Sequence, residues 1–109
     1  MSLSGYRAMW VLVMFDLPVR TKVQRKRASG FRKDLIQDGF MMVQYSIYSR
    51  PCPTMENADV HVRRVKAMLP PEGEVRILLF TDKQYGMMER YRAGKLAEME
   101  SQPEQIMLF

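Results

Sequence analysis

The stretch "AMWVLVMF", residues 8–15, constrains this chain more than any other: it is apolar without interruption and ends at Asp16, just before Pro18. Ala8, Trp10, Leu12 and Met14 share one parity; Met9, Val11, Val13 and Phe15 share the other. Successive side chains of a strand point to opposite faces, so a strand written this way is central and covered on both. It is far shorter than the roughly 20 residues of a membrane-spanning helix, and no basic region plus apolar core opens the chain as a signal peptide would. The expectation is a soluble, cytoplasmic protein with no membrane partner.

Thr21 can cap a helix running to about Asp38, because Gln24, Ala28, Phe31 and Leu35 recur on one face and Gly39 supplies a stop. The run "FMMVQYSIYS" that follows is β-branched and aromatic, and reads as two short strands or one bent strand with its break near Gln44–Ser46. The prolines of "RPCPTMEN" predict a loop, and Ala58, Val62, Val65 and Leu69 predict a second helix to about Leu69, ended by Pro70 and Pro71. After a turn at Glu72 and Gly73, "EVRILLF" alternates as a strand.

The order β, α, β, β, α, β predicts an α+β, ferredoxin-like sandwich with both helices on one face of an antiparallel sheet. The other face is left bare although its first strand is apolar there. A second copy of the chain is the simplest cover, so a homodimer is expected. The apolar end "EQIMLF" reads as an extra C-terminal strand. Residues 1–82 are assigned to the ferredoxin-like domain and residues 83–109 to an extension packing on the partner subunit's sheet, with residues 97–105 as a flexible linker.

At 109 residues the chain has room for one modest core. Its single cysteine, Cys52, excludes an intrachain disulfide, and with His61 as the only histidine a zinc cluster within one chain is excluded too. Residues 1–33 carry eight Lys/Arg against one acid, whereas the remainder is slightly acidic. Lys22, Arg25, Lys26, Arg32 and Lys33 form one cationic helix face, flanked by Arg20 and Arg27, with no acid from Leu17 to Lys33. Ordinary solvated helices interleave both signs, so this arc predicts contacts to nucleic-acid phosphates. The eleven methionines are assigned chiefly to gap-filling in a small core.

Two readings of Asp16 stay open from the residues alone. A strand-end carboxylate can ligate Mg²⁺, which takes oxygen ligands, or can simply accept hydrogen bonds in a turn. One acid is a thin metal site, but a symmetric dimer could bring two copies of Asp16 to one cation. Tyr45 and Tyr48 are of the type that stacks on bases, yet the first strand lacks the basic–aromatic alternation of RNA-binding sheets, so both are assigned to core or interface packing. His61 is placed off the apolar stripe, as a surface residue or an added phosphate contact.

Taken in order, "VLVMFDLPV", the basic helix ending at "LIQDGF", "VQYSIYSR" and "VRILLFTDKQY" resemble the CRISPR-associated protein 2 family, and "EQIMLF" is similar to the C-terminal strand of one subset of it. The resemblance implies a homodimer that supports double-stranded DNA between integrase subunits, those of CRISPR-associated protein 1, during spacer acquisition. It also implies a second possibility, a Mg²⁺-dependent endonuclease acting on RNA, including single-stranded RNA, or on DNA, with Asp16 as catalytic and metal-binding residue. Phe15 stands where many relatives carry tyrosine, which removes one hydroxyl. A third reading, a ligand-binding regulatory dimer, suits the topology but leaves the one-sided basic helix unexplained.

Overall fold

The computed structural model describes residues 8–97. Strands β1 (Met9–Asp16), β2 (Met41–Gln44), β3 (Ile47–Cys52) and β4 (Glu74–Thr81) form one sheet in the order β2-β3-β1-β4, with every neighbouring pair antiparallel. Helices α1 (Lys22–Gln37) and α2 (Met55–Ala67) are the two crossovers, which is the ferredoxin-like arrangement. A short helix α3 (Asp82–Gly86) and a hairpin of β5 (Tyr91–Arg92) and β6 (Lys95–Leu96) follow. No helix among the described residues is long and apolar enough to cross a membrane. The segment "EQIMLF" and nearly all of the expected linker lie outside the described residues.

The two parities of β1 meet different company. Met9, Val11, Val13 and Phe15 enter the main core with Phe31 and Leu35 of α1 and Ala58 and Val65 of α2. Each of these side chains except Ala58 contributes about 1.5–3 kcal/mol of transfer free energy, so this face supplies most of the driving force. Phe15 meets Phe31 edge-on at 5.1 Å and stacks near Tyr48 at 5.7 Å, which anchors the strand end that carries Asp16. On the opposite face Trp10 stacks on Tyr85 of α3 at 3.9 Å, and its indole N–H donates to Asp82 at 2.8 Å. Leu12 and Met14, further along that face, are only half-buried.

Thr21 caps α1 as expected, in a reciprocal box with Gln24: Gln24 N–H donates to the Thr21 hydroxyl at 3.1 Å, and Thr21 N–H to the Gln24 amide oxygen at 3.0 Å. Gln24 thus serves the cap, while Ala28, Phe31 and Leu35 carry the buried stripe. Gly39 adopts φ 92°, and a Cβ there would lie 2.9 Å from Arg50 Nε, so glycine suits the turn on both counts. The expected break between β2 and β3 falls at Tyr45 and Ser46, where Ser46 takes φ 65°.

Two expectations require correction. "RPC" is not loop: β3 runs through Cys52, with Trp10 opposite Pro51. Its β2 partner ends at Ser49, so beyond that point β3 is an edge strand, where proline is tolerated. His61 is not on the surface. It is 4% exposed and lies one helical turn from Ala58 and Val65, on the buried side of α2. The polarity of His61 is met by Asp38, whose carboxylate sits 2.7 Å from Nδ1.

Candidate nucleic-acid interface

The loop from Asp16 to Thr21 joins the central strand to the cationic helix, so the acid and the cations grow from one structural junction. Arg25 holds that junction together: its Nη1 donates to the carbonyls of Val19 at 3.1 Å and Arg20 at 3.0 Å. Arg27 turns away from the cationic arc to pair with Glu72 at 3.1 Å, and Gln24 donates to the same carboxylate at 3.2 Å. Arg32 donates to the Tyr45 hydroxyl at 3.3 Å and sits 5.6 Å from the centre of that ring. Arg20, Lys22, Lys26 and Lys33 are exposed, and none of their side chains has an ion-pair partner among the described residues. The first turn of α1 contains no acid, so the positive end of the helix dipole adds to the field of Arg20 and Lys22.

Asp16 is exposed at the end of β1, and its register partner on β4 is Glu74. Two carboxylates facing each other across an antiparallel pair repel, which favours a cation nearby. Arg76 supplies one, with its Nε 3.1 Å from a Glu74 oxygen. Sequence reasoning did not single out Glu74; the signal was the alternation of "EVRI", which puts Glu74 and Arg76 on one face at the same sheet end. Among the described residues no group of three or more His, Cys, Asp or Glu side chains could hold a metal ion. The donors at this end, two carboxylates, are the hard oxygen type that Mg²⁺ takes, though one of them already carries an arginine.

The buried titratable groups Asp38, His61 and Cys52 are structural. Burial pushes the Asp38 carboxyl up, but the hydrogen bonds from His61 and Arg64 outweigh it and hold the acid below its usual value. His61 Nδ1 therefore donates to an ionised carboxylate, and Arg64 donates to its other oxygen at 2.9 Å. Burial raises the Cys52 thiol against the opposing pull of Arg50, which leaves it protonated rather than nucleophilic. Tyr48 is in the core as expected, whereas Tyr45 is 77% exposed and contributes nothing to it.

Fold and site together define a class: a small ferredoxin-like domain with a strand-end acid beside a helix that has a cluster of exposed cations and no acid in its first three turns. The family model for CRISPR associated protein Cas2 matches residues 9–88. The chain belongs to that family. It is 50% identical to the CRISPR-associated endoribonuclease Cas2 of Parvibaculum lavamentivorans, over 93% of this chain and 100% of that one. It is 48% identical to the protein of the same name from Flavobacterium psychrophilum, over 98% and 93%. Among solved structures, Streptococcus pyogenes Cas2 at pH 6.5 matches with a TM-score of 0.55 and 24% identity, over 76% of this chain and 99% of that one. At that identity the likeness speaks for the fold alone.

Proposed function

We propose that the chain is the nucleic-acid-binding subunit of the CRISPR adaptation machinery: a cytoplasmic homodimer that holds double-stranded DNA for the integrase subunits of CRISPR-associated protein 1. The observation that carries this reading is the set of four exposed cations, Arg20, Lys22, Lys26 and Lys33, on and beside one helix. Arg25, which also donates from Nη1 to the loop carbonyls, and Arg27, in a surface ion pair with Glu72, flank these four and add to the same positive surface. Contacts of lysine and arginine to phosphates position a duplex without reading its bases, which suits a subunit that must accept many sequences.

Combined Lys22→Glu, Lys26→Glu and Lys33→Glu substitutions test it. Duplex affinity measured over a salt series should fall at low salt, and its log–log slope should flatten by about 0.9 for each phosphate contact removed. Unchanged low-salt affinity would take the helix off the DNA surface.

A second reading rests on a separate observation, the exposed Asp16 opposite Glu74, together with the endoribonuclease names of the relatives. In it Asp16, paired across the dimer with its copy, and Glu74 would hold Mg²⁺ for phosphodiester cleavage. When bound, the cation would supply Lewis-acid stabilisation of the charge that develops on the phosphate. Arg20 and Lys33 would orient the strand. Asp16→Asn should abolish Mg²⁺-dependent cleavage while leaving duplex affinity and melting temperature unchanged; cleavage that survives the substitution would clear Asp16 of the role.

A further inference from the structure

The exposed ring of Tyr45 is the feature that neither the core nor the phosphate-binding helix accounts for. A solvent-facing tyrosine at a turn gains nothing from burial, yet the turn and Arg32 hold this one in place. Ser46, its neighbour, takes the left-handed φ of 65°, which a non-glycine residue adopts only under constraint. Phe15 N–H donates to the Ser46 carbonyl at 3.0 Å, so the turn is tied to the strand end next to Asp16. Arg32 donates to the Tyr45 hydroxyl and lies 5.6 Å from the ring centre, which fixes the side chain. Arg32 reaches the ring from α1, and the ring remains 77% exposed.

An exposed aromatic face with a cation beside it is the combination that single-stranded nucleic acids use, in which a base stacks on the ring while cations track the phosphates.

We infer that Tyr45, positioned by Arg32, is a stacking platform for one unpaired nucleobase of a single-stranded nucleic acid whose backbone runs past Asp16. This rests on the nucleic-acid-binding reading and adds to it the residue that meets an unpaired base. Arg32 acts through the tyrosine and is a positioning residue. The same chemistry is available from RNA or from unpaired DNA, and ribose and deoxyribose probes distinguish the sources.

The probe is a short single-stranded oligonucleotide, in ribo and deoxyribo forms, carrying one 2-aminopurine whose fluorescence is quenched on stacking. The wild-type protein should quench it, and Tyr45→Phe and Tyr45→Trp should retain the quench. Tyr45→Ala should lose it and bind the strand roughly tenfold more weakly, with blunt-duplex affinity and melting temperature unchanged. Arg32→Met, which keeps the aliphatic stem, should reduce the quench more than a single lysine substitution on the helix does. An unaltered quench and single-strand affinity in Tyr45→Ala would overturn the proposal. So would a Tyr45→Ala protein whose only change is its oligomeric state, because that would make the ring an interface residue. The lysine variants report on duplex binding through other side chains, so either reading can fail while the other stands.

Discussion

Asp38 shows how one residue can tie three elements together. Its carboxylate takes His61 Nδ1–H at 2.7 Å and Arg64 at 2.9 Å from α2, and its carbonyl accepts Arg50 Nε from β3 at 2.8 Å. It also closes α1 as the C-terminal cap. Replacing His61 by leucine leaves a buried acid short of a partner, which costs about 2 kcal/mol at neutral pH. The sign of the pH effect follows from the direction of the shift. The Asp38 value is depressed in the fold, so its ionised form stabilises the protein fully above its ordinary value of 3.8 and that contribution fades as pH falls through the lower folded value. Urea unfolding of wild type and His61→Leu should therefore differ at pH 7, and the gap should narrow as pH is taken progressively below 3.8; a gap that stays constant over that range would rule out the carboxylate as the cause. The partnership was not legible in the sequence because Asp38 and His61 are 23 residues apart and only the antiparallel return of the chain brings them together. The position of His61 was readable, since its spacing from Ala58 and Val65 matches the stripe, but its polarity argued for solvent.

Elements were legible where the local chemistry was complete. Thr21 with Gln24 and Gly39 bounded α1, and the same Thr-x-x-Gln box recurs at Thr81 and Gln84 to start α3, a five-residue helix too short to show a periodicity of its own. The extent of β3 was masked because proline is a loop signal unless the strand is known to be an edge. The turn before β4 matters more to the site than its length suggests. Gly73 has φ 88°, and a Cβ there would come within 2.6 Å of the Asp16 carbonyl oxygen and 2.8 Å of Leu17 Cδ2. The Leu17 side chain can swing aside, but the Asp16 carbonyl cannot yield without moving the strand end that carries the acid. Gly73→Ala should cost about 1–3 kcal/mol and lower the melting temperature by about 5 °C or more. It should also weaken any Mg²⁺-dependent cleavage beyond what the stability loss explains, read as activity per folded molecule well below the melting point. A variant with wild-type melting temperature would show that the turn relaxes freely.

At the scale of the whole molecule, the doubly apolar first strand carried more information than any motif, and the chain itself accounts for only part of it. Trp10 and Phe80 are covered by Tyr85, a residue of the segment assigned from sequence to the extension. Leu12, Met14 and Ile47 stay half-buried beyond that cover, and Leu78, the register partner of Leu12, is 50% exposed. These side chains lie together on the sheet face opposite α1 and α2, and a contiguous apolar face is what an isologous twofold contact buries. The charge asymmetry agrees with that placement, because the cationic face of α1 lies on the other side of the sheet and stays open to a polyanion when the apolar faces meet. Leu78→Glu discriminates cleanly, since a side chain already half in solvent can carry a charge without disturbing the protomer fold. Light scattering after size exclusion should give the wild type a mass twice the 12.8 kDa of one chain and the variant the mass of one chain, with the circular dichroism spectrum unchanged. A variant that remains a dimer would move the interface off this face, and with it the argument for two copies of Asp16 meeting at one cation.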